Sequence, residues 1–162
     1  MNSQTLSLKT CAVRPFVPGD AEAIARVADN PRIAARLRNV FPSPYTVSDA
    51  EQFIALSNSP DYQRVSRAIV VDGVAAGGIG ITPGERGEVH QRTAEVGYWL
   101  GERFWGRGVV TDALRGFTDH LFEVTDLLRI YATVYDGNGA SCRVLEKAGF
   151  EKEGVMLSLI HI

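Results

Sequence analysis

At 162 residues, with 45% hydrophobic content and a net charge of −2, the chain buries one good core and leaves too little for a second, so residues 1–162 read as a single domain. No apolar run reaches the roughly 18 residues of a membrane span, and the opening Met1-Asn-Ser-Gln-Thr5 lacks the basic and apolar regions of a secretion signal. With no Lys/Arg cluster to meet nucleic acid, the expectation is a cytoplasmic protein with neither membrane nor nucleic-acid partners, monomeric or homodimeric. Cys11 and Cys142 have no metal or redox spacing and His90, His120 and His161 are scattered, so neither a metal site nor a disulfide is expected.

Thr5 to Phe16 alternates imperfectly through Leu6, Leu8, Cys11 and Val13 and reads as a first strand. Pro18-Gly19-Asp20 opens a helix over Ala21 to Asp29, with Asp20 as its cap and Ile24, Val27 and Ala28 on one face. Asn30-Pro31 breaks it, a short helix from Arg32 to Arg38 ends near Asn39, and Phe41-Pro-Ser-Pro-Tyr45 is an extended or turned loop over the substrate side. Thr46 or Ser48 caps the next helix, with Phe53, Ile54 and Leu56 inside and Asn58-Ser-Pro60 at its end. Val65 to Val71 and Val74 to Thr82 flank Asp72-Gly73, the strongest hairpin signal in the chain. Gly77, Gly78 and Gly80 in the second strand mark a bulge or a close backbone crossing rather than a ligand contact. Pro83 to Gln91 is a polar loop. A strand from Arg92 to Leu100, a helix from Val109 to Val124 and a strand from Arg129 to Tyr135 then form a right-handed parallel crossover. Asp136-Gly-Asn-Gly139 turns into a last helix, Ala140 to Lys147, which Gly149 ends, and Phe150 to Ile162 is extended.

The chemistry concentrates between Arg92 and Thr111. Ala94, Val96, Tyr98 and Leu100 alternate with Glu95, Gly97 and Trp99, and after Gly106 the period changes to the helical stripe Val110, Ala113, Leu114, Phe117 and Leu121. Glycines at the mouth of a helix admit a ligand close to the backbone, and the unpaired N–H groups and dipole there favour phosphate. A nucleotide-hydrolysing loop is disfavoured. Gly101 and Gly106 have its spacing, but Arg107 and Gly108 stand where a lysine and a magnesium-binding hydroxyl belong. A dinucleotide fingerprint needs a third glycine where Thr111 stands.

What remains, Arg103-Phe104-Trp105-Gly106-Arg107-Gly108 between a strand and a helix, resembles the acetyl-CoA pyrophosphate loop of the GNAT acetyltransferases. Ala94-Glu-Val-Gly-Tyr-Trp-Leu100 before it, and Asn138-Gly-Ala-Ser141 and Leu145-Glu-Lys-Ala-Gly-Phe150 after it, stand in the same order as in that family. The resemblance covers Cys11 to Val155. It is nearest to the branch of ribosomal-protein N-terminal acetyltransferases, through Asn30-Pro-Arg-Ile33, Phe41-Pro-x-Pro-Tyr45-Thr46 and Gly77-Gly-Ile-Gly80. It implies an α+β fold: a mixed, mostly antiparallel twisted sheet with helices on both faces, its parallel strands splayed apart to leave a slot for the pantetheine arm. The family normally ends in a two-stranded hairpin after Gly149-Phe150, whereas here only Glu151 to Ile162 follow, and Leu157-Ser-Leu-Ile-His-Ile162 resembles a scar of cloning or sequence assembly. If a last strand is missing, an exposed sheet edge and either dimerisation or instability are expected.

The resemblance assigns acetyl-CoA as co-substrate. Its pyrophosphate falls to the backbone N–H groups of Gly106, Arg107, Gly108, Val109, Val110 and Thr111, and the alternative for the charged side chains of Arg103 and Arg107 is a solvated loop. Its pantetheine amides fall to the backbone of Tyr98, Trp99 and Leu100, whose side chains read as core, and its arm to Asn138, which is also a routine turn residue. Glu95 is the candidate general base, because a carboxylate within an apolar strand is costly to bury without a partner or a task. Its alternative is an ion pair with Arg67 or Arg92. Ser141, at the family position beside the thioester sulfur, is the candidate proton donor or else a helix cap. No tyrosine follows Leu145 where many members place their general acid, and Cys142 reads as a small buried thiol before a nucleophile. An N-acetyltransferase acting on a primary amine by direct attack, foremost a protein or peptide N-terminus, is therefore expected. A small-amine acetyltransferase and a non-catalytic acyl-CoA-binding module stand as alternatives.

Overall fold

The computed structural model describes residues 4–37, 41–85, 87 and 90–156. Among the described residues six strands form one sheet in chain order: β1 (Leu6–Ser7), β2 (Ala12–Arg14), β3 (Val65–Val71), β4 (Val74–Pro83), β5 (Thr93–Leu100) and β6 (Arg129–Tyr131). All neighbours are antiparallel except β5 and β6. Helices α1 (Ala21–Ala28), α2 (Pro31–Ala34) and α3 (Val47–Ser57) precede the main hairpin, α4 (Val109–Val124) crosses from β5 to β6, and α5 (Gly139–Lys147) follows. This is the mixed, mostly antiparallel sheet with a parallel pair that the family resemblance implies.

Strand alternation divides the core. Ile69 and Val71 with Ile79, Ile81, Val96 and Leu100 meet α4 through Ala113, Leu114, Phe117 and Leu121, and α5 through Leu145. Ala68, Val70 and Ala75, on the other face, meet Ile24 and Ala28 of α1 and Ala50 and Ile54 of α3. Helices therefore cover both faces. The β3–β4 turn has positive φ at Asp72 and Gly73, as a tight hairpin matched to strand twist requires. A bulge then shifts the register between Ile69 and Val70, and a Cβ on Gly77 would stand 2.3 Å from the Trp99 carbonyl oxygen. The glycine run of β4 thus marks a bulge and a close crossing, as its sequence suggests.

Several expectations are corrected. Thr5 to Phe16 is not one strand but two, folded back at Lys9-Thr10 with Leu6 opposite Val13. No glycine or proline marks this bend. A residue far along the chain holds it, since the Thr10 N–H and hydroxyl both donate to Asp112 Oδ2, at 2.7 and 2.9 Å. Asp20 does not cap α1 with its side chain. It accepts from the Val17 N–H at 2.9 Å and forms a two-pronged pair with Arg14 at 2.7 and 2.8 Å, closing a 3-10 turn over Pro18–Asp20. Thr46 is the cap of α3, and Leu56 lies half exposed while Ala50 and Ile54 face inward. The helix expected from Arg32 is the single turn of α2, whose expected end near Arg38 and Asn39 lies outside the described residues. Pairing of the last expected strand stops at Tyr131. Residues 151–156 carry no regular element, while Arg86, Glu88 and Val89 of the polar loop and the tail 157–162 lie outside the described residues. No described helix is long and apolar enough to cross a membrane.

Candidate active site

The sheet forks beside β5. On one edge β4 follows it from Gly77 opposite Leu100 to Pro83 opposite Ala94. On the other, β6 pairs only with Thr93, Ala94 and Glu95. Val96 to Leu100 thus run on past their last β6 partner, leaving a strand edge that an amide-bearing chain can join. Where a splay of the two strands is expected, β6 ends at Tyr131 and its pairing with β5 stops at Glu95.

Beyond the fork, Glu102–Phe104 makes a 3-10 turn and the chain reaches α4 through Gly106 and Gly108, at φ +74° and +75°. A side chain strains such backbone, and nothing lies within 4 Å of where a Cβ would be at either glycine. Gly108 is the N-cap of a 16-residue helix, and the Asp112 N–H, bonded to Gly108 O at 3.0 Å, is the first to bond back into it. The preceding N–H groups of Val109, Val110 and Thr111 are the ones an α-helix leaves for an anion. Open space over left-handed glycines at a long helix start fits a pyrophosphate. Arg103 and Arg107 are both exposed, standing 4.5 and 5.7 Å from the Phe104 ring, and Arg107 pairs loosely with Asp72 at 3.6 Å. They add positive charge to a solvated loop.

Alternation puts Glu95, Gly97 and Trp99 on the face that carries Gly78 and Gly80, and Tyr98 on the α4–α5 face. Glu95 is partly buried, and exposed Gly97 leaves no side chain between it and Trp99. Of its expected partners, Arg67 lies in register with Ile79 and Tyr98, on the face opposite Glu95, and donates to Ser66 O at 3.0 Å. Arg92 donates to Asp126 O at 2.8 Å. The Leu100 carbonyl, assigned to the pantetheine amides, already accepts from the Trp105 indole at 2.7 Å. Trp99 meets Phe41 edge-on, with centroids 5.7 Å apart, so the Phe41 to Tyr45 loop does lie on the Glu95 face.

At the far side of the fork Asn138 caps α5, accepting from the Ser141 N–H at 3.3 Å and from Arg36 at 3.1 Å. Arg36, Ala35, Tyr135, Asp136 and Asn138 line a cleft of about 240 Å³. Ser141 is therefore not the cap; its hydroxyl lies 2.8 Å from the Tyr98 phenol. Cys142 is exposed rather than buried, whereas Cys11 is buried and its thiol is pushed up to about 11, by burial first, with the Thr10 bond lowering it and the Asp112 charge raising it. Sequence reasoning missed the ties across the site: Arg36 to Asn138, and Asn30 and Arg32 to Glu102. These join residues about a hundred or seventy positions apart, and no local pattern encodes them.

Comparison with known proteins agrees with this geometry. The family described as acetyltransferase (GNAT) domain matches residues 11–151. A 71-residue stretch is 47% identical to the probable N-acetyltransferase YjcK of Bacillus subtilis (strain 168), covering 44% of this chain and 39% of that protein. The ribosomal-protein-serine acetyltransferase of Escherichia coli (strain K12) is 33% identical over 48% of the chain and 44% of its own length. The spermidine N(1)-acetyltransferase of the same organism is 28% identical over 93% and 78%. Among solved structures, Mycobacterium smegmatis RimJ in complex with CoA-disulfide superimposes with a TM-score of 0.81 at 26% identity, covering 94% of this chain and 78% of that one.

Proposed function

The chain belongs to the GNAT acetyltransferases, and from that premise we propose that it transfers the acetyl group of acetyl-CoA by direct attack of a primary amine, foremost the N-terminal amine of a protein or peptide. The observation that carries this reading is the fork itself. A strand edge without a neighbouring strand among the described residues and a helix N-terminus under two left-handed glycines adjoin, which suits one ligand holding both amides and a pyrophosphate. In the proposed arrangement the pyrophosphate lies on the N–H groups from Gly106 to Thr111, with Arg103 and Arg107 adding charge. The pantetheine amides lie along Tyr98, Trp99 and Leu100, with Asn138 across the gap. Glu95 takes the proton of the attacking amine, and Ser141 offers its hydroxyl to the sulfur as thiolate charge develops.

The acceptor follows from proton energetics. An α-amine with a pKa near 7.8 is about one-seventh neutral at pH 7, whereas a lysine amine near 10.4 is neutral in fewer than about one molecule in a thousand. Deprotonation costs are then about 1 and 5 kcal/mol, and a single carboxylate base matches only the first. The ribosomal-protein-serine acetyltransferase among the relatives is in keeping with a protein acceptor. The spermidine acetyltransferase, which matches over more of the chain, favours a small amine as the second reading.

A mass-shift screen decides between them. With acetyl-CoA and a panel of peptides beginning with serine or alanine, spermidine and amino-sugar antibiotics, one acetyl group is expected on a peptide α-amine. Faster acetylation of spermidine would establish the small-amine reading. Retained CoA affinity with no amine acetylated would leave a binding module.

A further inference from the structure

One side-chain bond bridges the two arms of the fork. Tyr98 stands on β5 past its last pairing with β6, Ser141 in the first turn of α5, and their hydroxyl oxygens are 2.8 Å apart. The phenol also lies 3.4 Å from the Ser141 carbonyl, so its one proton has two acceptors within reach, of which Oγ is the nearer. A phenol is a far stronger acid than an aliphatic alcohol, so between the two hydroxyls it is the better donor and the serine oxygen the better acceptor. With Oγ accepting from Tyr98, the serine proton is left for a third group.

We propose that Tyr98 is a positioning residue for acetyl transfer: its phenol donates to Ser141 Oγ and so commits the serine's own proton to the thioester sulfur. The inference rests on the reading of Ser141 as the hydrogen-bond donor to that sulfur. As the amine nitrogen bonds to the carbonyl carbon, the carbon–sulfur bond breaks and its electron pair stays on sulfur. The surplus proton leaves the amine through Glu95. Ser141 keeps its proton and shares it with the thiolate, and Tyr98 neither gains nor loses one. Burial raises the phenol above its usual range, partly offset by the Ser141 bond and increased again by neighbouring Cys142, so the donor stays protonated at neutral and mildly alkaline pH. The ring packs against the core beneath α4 and α5, and Tyr98→Phe removes the donor while keeping that contact.

The test is a double-mutant cycle of wild type, Tyr98→Phe, Ser141→Ala and the double variant, following kcat, the KM for acetyl-CoA and the thermal midpoint against the fastest acceptor from the screen. Tyr98→Phe is expected to lower kcat about tenfold with KM for acetyl-CoA unchanged, and the double variant to be no slower than Ser141→Ala. A slow Ser141→Ala beside a wild-type Tyr98→Phe removes this inference alone. So do effects that multiply in the double variant, or a Tyr98→Phe loss confined to KM or to the thermal midpoint. Wild-type turnover of Ser141→Ala removes the serine reading and this inference with it, leaving the acetyltransferase assignment untouched.

Discussion

The two edges of β5 are built on opposite rules. Towards β4 it is matched at seven consecutive positions and pressed so close that β4 tolerates only hydrogen at Gly77; towards β6 it is matched at three and, among the described residues, left open beyond them. The first edge fixes the strand, and the second is the one proposed to receive the pantetheine arm. A ligand that adds itself to a sheet edge gains from a strand held rigid by its other neighbour, because less ordering entropy is lost on binding.

The largest expected effect on function comes from the open side. Gly108→Glu places a carboxylate over the N–H groups proposed for the pyrophosphate, and a side chain at φ +75° adds about 1–2 kcal/mol of backbone strain. CoA affinity by calorimetry is expected to fall at least about 100-fold, roughly 2.7 kcal/mol, with the fold retained. Unchanged affinity in a folded variant would sink the loop assignment.

Gly77→Val breaks the closed side instead. Its Cβ would press on the Trp99 carbonyl and Leu100 Cα, backbone atoms that yield only by parting β4 from β5. A loss of about 3 kcal/mol is expected, lowering the thermal midpoint by roughly 6–12 °C. Activity should fall with stability here, whereas Gly108→Glu separates the two. A variant as stable as wild type would show that β5 is held by something other than this crossing.

Glu95→Gln acts at the fork. It is expected to lower kcat/KM about 30-fold near pH 6.5–7 and progressively less above the acceptor's own pKa, where free amine needs no base. A pH–rate profile of both proteins checks this, and a deficit constant through pH 9 leaves Glu95 a positioning or structural carboxylate.

The smallest effect is a control distant from both edges. Burial alone would raise the Asp20 carboxyl, but the Arg14 bond, the Val17 N–H and the Arg14 charge together hold it below the usual range. A lowered folded pKa means the pair's stabilisation is present above the unfolded value of about 4 and is lost as pH falls through the folded one. Asp20→Asn should cost about 1–2 kcal/mol at pH 7, and the gap should close on acidification below about pH 4, with kcat little changed. A gap independent of pH would mean that shape rather than charge holds this corner.

How much of this was readable beforehand follows from the distance over which each feature is encoded. Asp72-Gly73, the glycines before α4 and the Thr46 cap are written in neighbouring residues, and the structure places them as the sequence indicates. The bend at Lys9-Thr10 has no local mark because Asp112 holds it, and Asp20 stands at the N-cap position of α1 without a side-chain cap bond because Arg14 and Val17 claim its oxygens. The inner face of α3 went wrong at Leu56 because composition cannot say which stripe meets the sheet. Most of the site's parts were visible one by one. Their assembly was not: period-2 alternation separates Tyr98 from Glu95, but only the fold brings Tyr98 to Ser141 and Arg36 to Asn138.

The unequal burial of the two cysteines has a practical side. At pH 8 a thiol with a pKa of about 11 is ionised in about one molecule in a thousand, and Cys11 is enclosed as well, while Cys142 is exposed one residue after Ser141. A maleimide or fluorine-bearing thiol reagent should therefore label the unmodified chain at Cys142 first. The protein carries its own attachment point for a spectroscopic reporter beside Ser141, where arrival and departure of the proposed ligand would be timed without altering the sequence.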